Sequence, residues 1–321
     1  MSDVFSTTLT PEAESFADAV TRFCKRELGE DVLDRRAVTF SRELWGRMAD
    51  LGLLEAAGAD FEDAMLLVCA GVEQLGYYGF PGPVPHSIAA AAVTGPAREA
   101  ILSATTIATI GGGDLIAWAN MADIAYTIDG NALYAATTTG PVDTLGRTDV
   151  ARVQIGDKLD QPAAAVLDRY HVAMAAYVGG VGRFLVDLAA EHARTRSQFG
   201  KTIGEFQAVA FPLAEIHMSL DAAQFITRAA AHSIDCHRDD AATLAAAARI
   251  SAGEAALRAG FSAHQTLGAY GMLAEGPVGW LSRRVQEYAT MRPSQRDASA
   301  ALPLTAASAL DPAAWPEAGA A

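Results

Sequence analysis

The stretch Arg194-Thr195-Arg196-Ser197-Gln198-Phe199-Gly200-Lys201-Thr202-Ile203-Gly204-Glu205-Phe206-Gln207 separates two long apolar patterns and decides how the chain is read. Upstream, Val181, Phe184, Leu185 and Leu188 mark one helical stripe; downstream, Phe206, Val209, Leu213, Ile216 and Leu220 step by three and four residues. The stretch is therefore a break between two helices, and Pro212 predicts a local kink in the second. A joint between helices needs only its glycine. Two readings of the added arginines and phenylalanine stand side by side. They are solvated turn charges, or they hold a phosphate or pyrophosphate with guanidinium forks and helix-terminal amides.

Further along, Ala241 to Leu267 and Val278 to Tyr288 give a third and a fourth helix, which predicts a C-terminal four-helix bundle over 163–300 and a tail, 301–321, rich in Ala and Pro and poorly ordered. Towards the N-terminus, Thr10-Pro11 reads as a capping residue followed by proline in the first turn, with Phe16, Val20, Phe23 and Cys24 at helical spacing. A second helix runs from Ser41 to Gly52 and a third from Asp60 to Gly76. The run from Gly79 to Pro85, with three prolines and two glycines, reads as a loop. Between Thr105 and Val153 the period shortens, with strands at Ile107 to Ile110, Asp123 to Asp129, Leu133 to Thr137 and Ala151 to Ile155 and a turn at Asp129-Gly130-Asn131. The expected fold is mainly α with a small β middle region: a helical domain over 1–104, a truncated β domain over 105–162, then the bundle.

Composition narrows the function. The net charge of -14, from 38 acidic and 24 basic residues, repels phosphate backbones and anionic lipid, so neither nucleic acid nor membrane is an expected partner. Cys24, Cys69 and Cys236 show no CxxC spacing and read as buried thiols in a reducing cytoplasm. The N-terminus has no basic stretch followed by an apolar run, which predicts a soluble, cytoplasmic protein. His232 and His237, five residues apart, do not share a helical face as metal ligands should, and Gly111-Gly112-Gly113-Asp114 reads as a turn rather than a dinucleotide loop.

The Arg-x-Gln-Phe-Gly-Lys segment ending in Phe206-Gln207 resembles the signature of the acyl-CoA dehydrogenase family. Gln265-Thr266-Leu267-Gly268-Ala269-Tyr270-Gly271 is similar to that family's Gln-x-x-Gly-Gly-x-Gly turn, with Ala269 in place of its second glycine. The resemblance is strongest from Asp168 to Arg284. It implies that Arg196, Gln198, Phe199, Gln265 and Gly268 contact the adenosine diphosphate portion of an FAD shared across a subunit interface. It also implies a glutamate base at one of two places, which fall here on Tyr170, 26 residues before Arg196, and on Arg292, 21 residues after Gly271.

Neither residue is a base near neutral pH. His171 stands where relatives often have an arginine that touches the acyl-CoA, and Asp168 and Glu287 are the nearby carboxylates. The family's Thr-Glu-Pro-x-x-Gly-Ser stretch has no counterpart between Thr105 and Val153, although Trp118-Ala119-Asn120-Met121-Ala122-Asp123 resembles a later part of that domain. By resemblance to short, base-deficient subunits of actinobacterial heterotetramers acting on steroid-CoA thioesters, the expected partner is a full-length acyl-CoA dehydrogenase subunit. No catalytic residue is assigned to this chain. A self-sufficient homomeric dehydrogenase with an unusual base and a non-enzymatic helical binding protein are the alternatives.

Overall fold

The structure, a computed structural model, describes residues 9–143, 149–273 and 275–302. Seven helices come first: α1 (Pro11–Leu28), α2 (Val32–Ala37), α3 (Arg42–Ala49), α4 (Leu53–Ala57), α5 (Ala64–Tyr77), α6 (Val84–Ala90) and α7 (Arg98–Leu102). Strands β1 (Ala108–Gly112), β2 (Leu115–Ile116), β3 (Ile124–Asp129), β4 (Ala132–Pro141) and β5 (Ala151–Pro162) follow. Then come α8 (Ala164–Thr195), β6 (Ser197–Gln198), β7 (Lys201–Thr202), α9 (Gln207–Asp235), α10 (Ala241–Leu267), α11 (Ala269–Met272), α12 (Gly279–Thr290) and α13 (Gln295–Ala301). The expected fold class, mainly helical with a small β middle, is the one observed.

The first helix starts as its sequence predicts, with Pro11 in the first turn and the Thr10 hydroxyl accepting from the Ala13 amide at 3.3 Å. α5 has no cap of its own. The Asp235 carboxylate at the end of α9 reaches back to accept from the amides of Met65 (2.8 Å) and Leu66 (3.1 Å), so the bundle supplies the cap. α5 also runs on through Gly76 to Tyr77. The proline-rich run is only partly loop: Val84 and Pro85 form the first turn of α6, where a missing amide costs nothing.

The sheet has the order β1-β3-β4-β5-β2, with β1 parallel to β3 and the other pairs antiparallel. Asp129 pairs with Ala132 across the expected turn. β4 and β5 are longer than their apolar alternation predicts, because bulges interrupt their pairing and much of β5 faces solvent. Gly111 and Gly112 belong to β1, not to a turn. Close approach explains Gly112: a Cβ there would lie 2.9 Å from the Arg292 Cβ, and its amide donates to the Arg292 carbonyl at 2.7 Å.

The core is built around α8, most of whose residues between Tyr170 and Leu185 are buried. It touches α5 almost backbone to backbone, since a Cβ on Gly76 would fall 2.1 Å from the Tyr177 carbonyl oxygen and one on Gly180 the same distance from that of Glu73. α10 packs on α8 with small residues, Ala245, Ala248, Ala252, Ala256 and Ala259. Cys24 and Cys69 are buried as expected, and burial pushes both thiols up. Cys236 is exposed, contrary to expectation, because it caps the solvent-facing end of α9. The tail beyond residue 302 lies outside the described residues.

Candidate functional site

The signature stretch folds into a two-residue hairpin. Ser197 pairs with Thr202 and Gln198 with Lys201, leaving Phe199 (φ 56°) and Gly200 (φ 82°) as the turn. Positive φ at both positions is the geometry of a tight hairpin turn, which glycine and asparagine adopt freely and a phenylalanine adopts only against its steric preference. The strained residue is also 92% exposed. Burial within the chain does not account for a large aromatic held in a costly conformation and presented to solvent. The ring meets Phe206 edge-on at 6.3 Å, and the Lys201 ammonium lies 4.3 Å from the Phe206 ring centre.

A groove of about 450 Å³ opens between this hairpin, the first turns of α9 and the last turns of α10, and Gln198, Phe199, Phe206, Pro212, Gln265 and Thr266 are among the residues lining it. The fold thus brings together Gln198, Phe199 and Gln265 from two motifs far apart in sequence. Arg196 and Gly268 are not in the lining; Arg196 is the exposed residue that ends α8, and Gly268 ends α10. Gly268 adopts φ 59° and ψ -131°, a region open only to glycine, and nothing lies within 4 Å of where its Cβ would be. The groove itself thus offers an aromatic platform and two side-chain amides, while the Arg196 guanidinium and the open backbone at Gly268 lie outside its lining. From sequence Pro212 reads only as a kink in its helix and Ser262 as ordinary helix content, and the packing of α9 against α10 brings both to the groove.

The two places where a base is expected lie elsewhere. Tyr170 is fully buried on α8 between His86 (ring centres 5.5 Å apart) and His171 (6.1 Å). Burial pushes its phenol up to about 12, and its hydroxyl has no hydrogen-bond partner among the described residues. Burial lowers His86 to about 4 and His171 to about 3, so both rings are neutral. The His86 Nδ1 is 2.7 Å from the Ile110 carbonyl. Arg292 turns its side chain outward to Asp297 (3.4 Å). Asp168, partly buried on α8, is pushed up to about 6 by desolvation against the lowering effect of Arg169, and it stands two residues from Tyr170, on another face of the helix. Glu287 lies on α12, partly buried. Trp118 (φ 63°) is buried and donates to the Tyr288 hydroxyl at 2.9 Å, closing this polar cluster from the sheet side.

One feature of α9 escaped the sequence reading. Besides the buried stripe of Leu213, Ile216 and Leu220, the helix carries Phe211, Met218 and Phe225, seven residues apart and 57%, 68% and 45% exposed. That spacing repeats every two turns and forms a second apolar face. The signal was in the sequence, masked by the stronger stripe beside it.

Comparison with known proteins accords with this geometry. Residues 163–292 match the family described as acyl-CoA dehydrogenase, C-terminal domain. Acyl-CoA dehydrogenase FadE12 of Mycobacterium tuberculosis is 35% identical over 138 residues, which are 42% of this chain and 33% of that protein. The chain therefore aligns with about a third of the length of such curated relatives. Among solved structures, the ChsE4-ChsE5 complex from Mycobacterium tuberculosis superposes with a TM-score of 0.76 at 22% identity, covering 94% of this chain and 99% of that one. The FAD complex of PigA superposes with a TM-score of 0.75 at 16% identity, covering 95% and 100%. The chain has the acyl-CoA dehydrogenase fold. Within it, residues 163–292 are the part similar to that family's C-terminal domain.

Proposed function

We propose that this chain is a subunit of a heteromeric FAD-dependent acyl-CoA dehydrogenase in the cytoplasm, that it helps hold the flavin across a subunit interface, and that a full-length partner supplies the base. The observation that carries the reading is the fully buried Tyr170, raised to about 12, at one expected base position, with an outward-turned Arg292 at the other. Abstracting the proton beside a thioester needs a group poised near the working pH and within hydrogen-bond reach. FAD, when bound, accepts the hydride that leaves the neighbouring carbon.

In this reading the chain's own residues act on the far end of the cofactor. Phe199 offers a stacking face, Gln198 and Gln265 offer amide donors and acceptors, the open backbone at Gly268 admits close approach, and Arg196 neutralises phosphate charge. The second apolar face of α9 supports a partner subunit, since exposed patches of this kind are covered in assemblies. The similarity to a complex of two differently named chains supports a mixed assembly. The substrate class, a CoA thioester derived from a steroid, rests on analogy with short subunits of this kind.

The test is the visible absorbance spectrum and mass of the chain purified alone and co-expressed with a full-length acyl-CoA dehydrogenase subunit. Flavin colour only in the mixed oligomer, weakened by Arg196→Ala, is the expected result. Flavin colour in the lone chain with turnover of an acyl-CoA would replace this reading with the self-sufficient enzyme, and Asp168 would be its first candidate base. No flavin with any partner would leave a binding protein that keeps only the fold.

A further inference from the structure

Gly179 is a mid-helix glycine without a local reason. In α8 its neighbour Gly180 is required by the backbone of α5, and a Cβ on Gly182 would meet Leu220 at 2.9 Å and Ala256 at 3.0 Å. At Gly179 nothing lies within 4 Å of where a Cβ would be, and no positive φ calls for glycine. A glycine inside a helix is disfavoured relative to alanine. What its missing side chain leaves open is a slot between α5, α8 and α9.

The slot holds about 50 Å³ and is floored by Ala175, Ala176, Gly179, Gly180, Leu220 and Ala223. It opens into a vestibule of about 390 Å³ that shares Gln74, Tyr77, Arg183 and Gln224 with its rim. A water needs only about 10–15 Å³ of such space, so the floor accommodates a short branched alkyl group. The charges around it are matched to one another: Glu73 with Arg228 at 2.7 Å and Arg183 with Asp221 at 2.6 Å. A carboxylate or an ammonium entering the slot would have to compete with these pairs.

Neutral hydrogen-bonding capacity remains at the rim. The Gln224 amide NH2 donates to Glu73 and leaves its carbonyl, while the Gln74 carbonyl accepts from Thr21 and leaves its NH2. The Tyr77 hydroxyl donates to Asp187 at 3.1 Å and keeps its lone pairs. Donor and acceptor thus stand together above an apolar floor.

We infer that this slot is a binding site for an uncharged molecule with a short branched alkyl group and a hydroxyl or primary amide head, separate from the groove at Phe199. The site does not depend on the proposed redox role. The test uses the full chain with 3-methyl-1-butanol and 3-methylbutanamide, against 3-methylbutanoate and 3-methylbutylammonium, and follows alanine methyl resonances by NMR titration.

The expected result is saturable shifts of the Ala175, Ala176 and Ala223 methyls with the alcohol and the amide, and at least tenfold weaker binding of the two ions. Gly179→Leu, which fills the slot, should abolish the shifts, and Gly46→Leu, an open helical glycine elsewhere, should leave them. Should Gly179→Leu fail to fold, Gly179→Ala and Gln224→Met must each weaken binding severalfold. No saturation by either neutral probe, equal binding of the ions, or undiminished binding in the variants that fill or strip the slot would overturn the inference.

Discussion

Adjacent glycines on α8 should respond oppositely to the same methyl group. For Gly180→Ala, the new Cβ would lie 2.1 Å from the Glu73 carbonyl oxygen and 2.7 Å from the Tyr77 amide nitrogen, both backbone atoms that no rotamer can move. Ordinary contact begins near 3.4 Å. Restoring it would part α5 and α8 by about 1 Å, a gap that forfeits a quarter to a half of the dispersion attraction of the atoms it separates. Overpacking typically costs about 1–3 kcal/mol, and a backbone clash belongs at the upper end. Alanine returns up to about 1 kcal/mol of helix propensity, so the net expectation is a loss of about 2–3 kcal/mol.

Gly179→Ala gains the same propensity with no clash and should be about 0.5–1 kcal/mol more stable than the parent. Urea denaturation of the parent and both variants, read as midpoint shifts at unchanged slope, makes the comparison. A Gly180→Ala protein as stable as the parent would refute the close-crossing argument, and a destabilised Gly179→Ala would refute the open-space argument.

Removing the phenol, which has no hydrogen-bond partner among the described residues, with Tyr170→Phe should stabilise the chain by about 1 kcal/mol, because a buried unsatisfied hydroxyl is costly, and should leave turnover of the assembled enzyme unchanged. A large loss of turnover would contradict the non-catalytic role. Asp235→Ala strips α5 of its borrowed cap and should cost about 2 kcal/mol, with faster amide exchange at Met65 and Leu66. Burial raises Asp168 and Asp235 to about 6, so the folded chain binds more protons than the unfolded one between about pH 4 and that value. The stability they contribute is full below that window and is lost as pH rises through it; Asp168→Asn should flatten its share of the denaturation midpoint against pH.

Much of this was legible in the sequence because it rests on periodicity and turn chemistry. The three- and four-residue steps of α9, the cap at Thr10 and the turn before Asn131 are local signals, and the structure carries each of them. The elements misread were those settled by distant partners. Gly111 and Gly112 look like a turn until Arg292 comes alongside, and Pro85 looks like a breaker until the helix begins just before it. β5 was underestimated because its exposed polar residues hide the alternation. At the candidate site the motif residues could be named from sequence, but the strain at Phe199 and the burial of Tyr170 belong to three-dimensional packing.

The borrowed cap on α5 bears on what counts as a unit here. Family comparison recognises residues 163–292 as a stretch in its own right, yet the Asp235 carboxylate serves amides 170 and 169 positions earlier, and Arg228 meets Glu73 from 155 positions away. A fragment cut before α8 would leave Asp235 and Arg228 without these partners and turn the face that packs against α5 out to water. The segment most easily inherited as a sequence is thus mechanically half of something larger. An alignment boundary is no guide to where this chain can be divided.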